Sequence, residues 1–244
     1  MGLFNKIFKQ NDTHTSENTS SAIPQPEPAT SERELLERYA ALAHEKQLHL
    51  GEVIGQNNWN VDVRQGTIQF GADLVFPMQI LGTFSHSAQT WLWAWANAQS
   101  QLPESILQQA LKLKQYGEQN HIDLLRHAEF DAQMQDLHMI GSIASGLFGA
   151  SAYYIADYGQ GAMVLTVQHP QIDGTRTHNH LRTLTTFPAV ITQYEMDHKT
   201  ALTHYLNAKG YTVTNEGQTL CGTRGTDTLT ASFDDLGRLT SLNG

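Results

Sequence analysis

Twelve histidines, one cysteine and a tryptophan triplet are the residues of this chain whose types and spacing could do chemistry. His178 and His180 stand two apart in TRTHNHLR. On a strand they would share a face and could share a metal. No third ligand lies near them in sequence. Glu195 and His198, in EMDH, fall three apart on an expected helix. That is half of the Glu-x-x-His pattern that holds di-iron centres in helical bundles. The second copy and the two further glutamates are missing. His198 and His204 are six apart, about 240° round a helix, so they do not face one ion. His44 and His49 fail similarly. Ordinary polar or surface histidines are expected, and a metal site is not.

Nucleophiles fare no better. Cys221 sits in GQTLCGTRG with no motif that would supply a base or stabilise a thiolate. A buried or strand-surface structural role is expected for it. A single cysteine permits no internal disulfide and fits a reducing compartment, which makes the cytoplasm the expected location. IGSIASG is the nearest string to a G-x-S-x-G elbow and does not fit; Ser142 and Ser145 fall inside an expected helix. Neither glycine-rich phosphate loop occurs. Asp234-Asp235 reads as a solvated turn. No catalytic residue and no cofactor is expected on these grounds, although many active sites leave no short signature.

The strongest signal is TWLWAWAN, residues 90–97. On a strand Trp91, Trp93 and Trp95 point one way, while Leu92, Ala94 and Ala96 point the other. Both faces are apolar, so a central strand covered on both sides is expected. Burial is then the default for the indoles. The expected arrangement has one of them at a pocket mouth, with Tyr153 and Tyr154 at its rim, as a binding place for a ligand or partner.

These residues must be positioned by the elements around them. Residues 1–9, MGLFNKIFK, put Leu3, Phe4, Ile7 and Phe8 on one face of a short helix with Lys6 and Lys9 beside it. That suits at most weak docking on a membrane surface or a partner; the alternative is a frayed or self-docked terminus. Residues 10–31 are polar, carry three prolines and read as a disordered tether. Ser31 with Glu34 forms a capping-box signal for a helix through about Leu50, with Leu35, Leu36, Tyr39, Leu42 and Ala43 inward. From Trp59 the period becomes two. Val61 and Val63, then Ile68 and Phe70, flank a turn near Gln65-Gly66. LVFPMQILGTFS follows as a strand with Phe76, Met78, Ile80 and Phe84 alternating, Pro77 marking an edge or bulge. Helices are expected from Pro103 to near Gly117, over about 131–149, and from about Thr186 to Ala208 ahead of Gly210. In the second of these Gly141, Ser145 and Gly149 suggest close approach to the sheet. SAYYIADYGQGAMVLTVQ reads as a hairpin turning at 158–161. Residues 211–244 suggest three short strands, the last two joined at 234–237.

The resulting expectation is an α+β fold. An antiparallel meander carries packed helices over 32–208, with a small β-strand appendage over 209–244. Net charge is −9, and no clustered basic face indicates nucleic acid. No apolar run is long enough to span a bilayer. LGTFS, TWLWAWAN and YGE, in that order, resemble a family of uncharacterised bacterial proteins known only as a domain of unknown function. The resemblance covers roughly residues 33–170. It implies an α+β domain and no activity. Small proteins of this style often lie among toxin–immunity genes. The leading functional expectation is a non-enzymatic cytoplasmic interaction protein, with an immunity-type role among its forms, and with a protein partner. The alternative is a small-molecule-binding or hydrolytic enzyme with a pocket beside the Trp face.

Overall fold

A computed structural model describes residues 27–173 and 179–244. The docking residues Leu3, Phe4, Ile7 and Phe8, most of the tether, and His178 lie outside the described residues. The tether's last residues are tied down rather than free. Ala29 is buried, Tyr116 donates to the Glu27 carbonyl, and Arg38 donates to the carbonyls of Glu27 and Pro28.

Helix α1, Glu32–Ile54, starts where the capping signal places it. Ser31 Oγ accepts from the Glu34 N–H, but the Glu34 carboxylate reaches back one residue further than a capping box requires, to Thr30. The helix runs one turn beyond Leu50 and stops at Gly55, whose positive φ of 56° suits a residue without Cβ. The strands β1 Trp59–Asp62, β2 Thr67–Phe70, β3 Leu74–Ser85 and β4 Thr90–Trp93 then form the expected meander. Pro77 falls where the β3 pairing with β2 ends, so its missing donor interrupts no run of the ladder.

Two 3-10 turns and a third at Glu104–Ile106 lead into α2, Gln108–Asn120. The helix passes through Gly117, which packs against Leu125, and ends at His121 instead. A short helix α3, Asp123–Arg126, precedes strand β5, Glu129–Asp131, which pairs with β4. The sequence reading assigned residue 131 to a helix. The helix α4, Met134–Leu147, starts later because Gln133 and Asp136 cap it reciprocally. The hairpin of β6, Ala152–Asp157, and β7, Gly161–Val167, lays β7 against the free side of β3. Tyr153 lies across Gly141 of α4, where a Cβ would come within 2.4 Å of the ring. Gly149 makes no such contact.

After α5, Pro170–Asp173, the single helix expected at 186–208 is two: α6, His180–Ile191, and α7, His198–Ala208. Asn179 and Asp197 each accept an N–H as a side-chain cap, so the chain restarts a helix at Asp197. Glu195 therefore lies ahead of α7, and the helical Glu-x-x-His pattern does not form. Four strands complete the chain: β8 Thr212–Glu216, β9 Thr219–Arg224, β10 Asp227–Phe233 and β11 Leu239–Asn243. They form a separate antiparallel sheet, order β11-β10-β9-β8, one strand more than expected.

Two apolar cores flank the larger sheet. One gathers Phe70, Phe76, Met78 and Ile80 with the end of α1 and with Ile106 and Ala110. The other gathers Leu81, Phe84, Trp91 and Trp93 with α4, α6, α7 and the inner side chains of β9 and β10. Strand β3 serves both because it carries a bulge: Ile80 pairs with Leu165, but Gly82 pairs with Val164. Leu81 is the extra residue, and past it the inward and outward sides exchange. Phe84 is therefore on the opposite core from Phe76, Met78 and Ile80, not on the same face as the alternation suggested. Gly82 lies under Trp91, with 2.4 Å from an added Cβ to the indole and 2.5 Å to the Leu92 carbonyl oxygen.

A buried ion pair locks the second core. Lys209, just past α7, places Nζ 2.6 Å from both carboxylate oxygens of Glu45 on α1, and Tyr205 donates to the same carboxylate. All three are buried. Burial pulls the Lys209 ammonium below its usual range, against the pull of Glu45.

Two outcomes are expected from urea unfolding. Gly82→Ala costs about 1–3 kcal/mol, because Trp91 and the Leu92 carbonyl leave no room for the methyl. Glu45→Gln costs about 3–5 kcal/mol by leaving Lys209 buried without its partner, whereas Glu45→Leu with Lys209→Met restores most of the loss.

Candidate functional site

The bulge decides what the outer end of the sheet displays. On β3 the apolar row Phe76, Met78, Ile80 is continued on the same side, past Leu81, by Thr83 and Ser85. Thr83 pairs with Leu92 and Ser85 with Thr90 on β4. Those in turn pair with Glu129 and Asp131 on β5. Paired residues of antiparallel strands share a side. The side chains of these six residues therefore stand together. All of them but Asp131 line an open cleft of about 360 Å³, together with Phe84 and with Ser87, Tyr158 and Gln160 from two turns. Thr83, Ser85, Thr90 and Leu92 make its floor. Glu129 stands at one side, and Tyr158 and Gln160 at the other.

Its chemistry is that of hydrogen bonding. Ser85 Oγ meets Ser87 Oγ at 3.2 Å and accepts from the Ala88 N–H at 3.2 Å. The side chains of Thr83, Thr90, Glu129, Tyr158 and Gln160 have no hydrogen-bond partner among the described residues. The nearest imidazole is on the wrong side. His86 follows Ser85 and points with Phe84, whose ring it meets edge-on at 5.4 Å. Its Nε2 lies 3.2 Å from Asp157. The Gly159 N–H, followed by His86, holds that carboxyl below its usual range. Among the described residues Ser85 is thus not partnered by a base, and no nucleophile–base hydrogen bond forms in the cleft.

The structure does not bring the five expected aromatic residues to one pocket. Trp91 and Trp93 are both 0% exposed and meet edge to face at 5.3 Å. The Trp93 N–H donates to the Leu124 carbonyl at 3.0 Å. Trp95 leaves the strand, because β4 ends at Trp93 and Ala94–Ala96 form a 3-10 turn. It is half-buried beneath the Lys114 ammonium, 4.7 Å from the ring. Tyr153 is buried against α4, while the half-buried Tyr154 meets Phe70 and Trp59 in the other core. The cleft uses the opposite side of β4, through Thr90 and Leu92. Sequence reasoning missed it because β5 was not read as a strand, its last residue Asp131 being assigned to a helix, and because the bulge reversed the sides of β3. The hydroxyl spacing Thr83-x-Ser85 was the one signal that could have pointed to it.

A family model matches residues 33–170. The chain belongs to a family of unknown function, DUF6882. All nine residues lining the cleft fall inside the DUF6882 segment, as do Gly82, Trp91 and Trp93. α6, α7 and the four-stranded sheet lie outside it. No curated protein and no solved structure matches the chain.

Elsewhere, histidines serve structure. His198 Nδ1 accepts the Leu239 N–H, and His180 Nδ1 lies 2.8 Å from the Tyr211 hydroxyl. Among the described residues no three of His, Cys, Asp and Glu are grouped to hold a metal. His138 Nδ1 lies 2.9 Å from the Tyr153 hydroxyl. Burial drives the Tyr153 phenol well above its usual range and lowers His138, with His44 adding to the second effect. Burial alone lowers His44. His138 is exposed as a residue but its ring nitrogen turns inward, so solvent screens part of its shift, and His44 is the better reporter.

The pH dependence follows from these directions. Both imidazoles bind a proton less readily folded than unfolded, so their contribution is complete above the ordinary value of 6.5. Urea-determined stability is expected to fall as pH drops below 6.5 toward the lowered values, and His44→Gln should flatten that slope.

Proposed function

We propose that this protein is a non-enzymatic binding protein of the cytoplasm that engages a protein partner through the cleft on β3, β4 and β5. One observation carries the reading: unpartnered hydroxyl, amide and carboxylate groups converge on the strands, and the neighbouring His86 imidazole turns away from them. Preformed groups of that kind favour recognition over turnover. Masking a partner's surface is also what an immunity protein does, and the reading includes that role. The hydrolytic alternative rested on a cavity beside the Trp face; Trp91 and Trp93 are enclosed, and nothing in the cleft's hydrogen bonding favours it. That no helix among the described residues is long and apolar enough to cross a membrane is compatible with either reading.

The test is a complex isolated from cells that make the protein. A partner of fixed stoichiometry is expected, with hydrogen-exchange protection gained at residues 83–92 and 158–161. Thr90→Trp, which fills the cleft from a half-exposed position, should abolish the complex without lowering the melting temperature. Conversion of a metabolite by the purified chain, lost on the same substitution, would replace binding by catalysis.

A further inference from the structure

We propose that the cleft receives basic side chains from an extended segment of the partner protein, spaced as Lys-x-Lys or its arginine equivalent. The proposal rests on the reading of the cleft as a binding surface. Its first support is a pair of neighbouring carboxylates on β5. Glu129 and Asp131 meet no cation among the described residues. They stand two apart on β5 and share one side of the sheet, because Phe130 between them pairs with Trp91 and packs on the core. Strand geometry puts their Cα atoms about 7 Å apart. Two like charges are thus held side by side without a counter-ion, at the edge of a cleft whose nine lining residues include no lysine or arginine.

The opposite wall agrees with a cation. Tyr158 is 51% exposed and offers a ring face and a hydroxyl, which an ammonium or guanidinium uses together. The Thr83 and Thr90 hydroxyls add acceptors on the floor. An anionic group would meet both carboxylates, and an apolar one would leave these polar groups without partners. The extended form follows from topology. β5 ends the strand path, so one of its edges carries no neighbouring strand among the described residues. A segment lying along it would turn every second side chain toward the cleft, in register with Glu129 and Asp131.

The experiment is an amide-resolved NMR titration of the full chain with three capped peptides, alternating glycine with lysine, with glutamate or with serine. The lysine peptide is expected to shift Thr83, Thr90, Leu92, Glu129, Asp131 and Tyr158 selectively. Its binding should weaken at least about tenfold in a Glu129→Gln, Asp131→Asn double variant of unchanged spectral dispersion, and should weaken with added salt. Lysine-peptide shifts scattered over the acidic surface and unaltered in the double variant would overturn the proposal. If the serine or glutamate peptide shifts the cleft and the lysine peptide does not, the basic partner is refuted while the cleft stands as a binding surface. If no peptide moves the cleft, the basic-segment assignment fails, and the isolated complex decides separately whether the cleft binds at all.

Discussion

One extra residue in β3 fixes most of what the sheet can do. Were Leu81 an ordinary ladder residue, the row Phe76, Met78, Ile80 would continue through Gly82 and Phe84 on one side, and the opposite core would lose Phe84; as a bulge it reverses the sides. With it, the strand contributes large side chains to one core along its first half and to the other along its second. Each core then has a wall from the same strand, and the hydroxyls of Thr83 and Ser85 emerge on the side that the first core leaves uncovered. LGTFS can be read in those terms. Leu81 is the bulge, Gly82 makes room for the Trp91 indole, Phe84 fills the second core, and Thr83 and Ser85 face solvent.

The second core joins the DUF6882 segment to the rest of the chain. Glu45 lies within residues 33–170, while Lys209 and Tyr205 lie beyond them. A carboxylate removed from water needs both charge and hydrogen bonds to offset its lost solvation, and here two residues outside the segment supply them. The apolar contacts run the same way: Leu220, Leu229, Ala231 and Phe233 of the terminal sheet join the cluster that holds Trp91 and Trp93. The wall behind β4 is therefore supported from outside the family segment as well as from within it.

Much of this was legible in the sequence where local signals agree with the tertiary outcome. The Ser31 cap, the meander from Trp59 and the 158–161 turn were readable because capping residues, alternation and glycines act over a few residues. What was not readable depends on pairings distant in the chain. Glu129-Phe130-Asp131 is a strand because β4 is there to pair with it. Trp95 alternates perfectly with Trp91 and Trp93, yet pairing with β3 ends at Gly82↔Trp93 and the chain turns at Ala94. Glu45, Lys46 and His49 gave no sign of burial, since charge on an amphipathic helix normally marks the solvent side. Only the partners that α7 and the 149–151 loop bring to Glu45 and Lys46 make that side an interior.

The buried tryptophans and the open cleft are two sides of one arrangement. A recognition surface made of small hydroxyls and two carboxylates gains little by itself; its worth depends on how exactly the groups are held before a ligand arrives. Strand β4 is only four residues long and would be a weak platform alone. Trp91 and Trp93 give it a rigid backing: both are enclosed, they pack edge to face, and the Trp93 N–H is anchored to the Leu124 carbonyl. Because alternate residues point opposite ways, fixing the indoles fixes their strand neighbours Thr90 and Leu92. The same holds next door, where Phe130 packs on the core and leaves Glu129 and Asp131 outward on either side of it. In the binding reading proposed above, the aromatic strip bears on recognition through Thr90 and Leu92, which it holds in place, and not through contact with a ligand of its own.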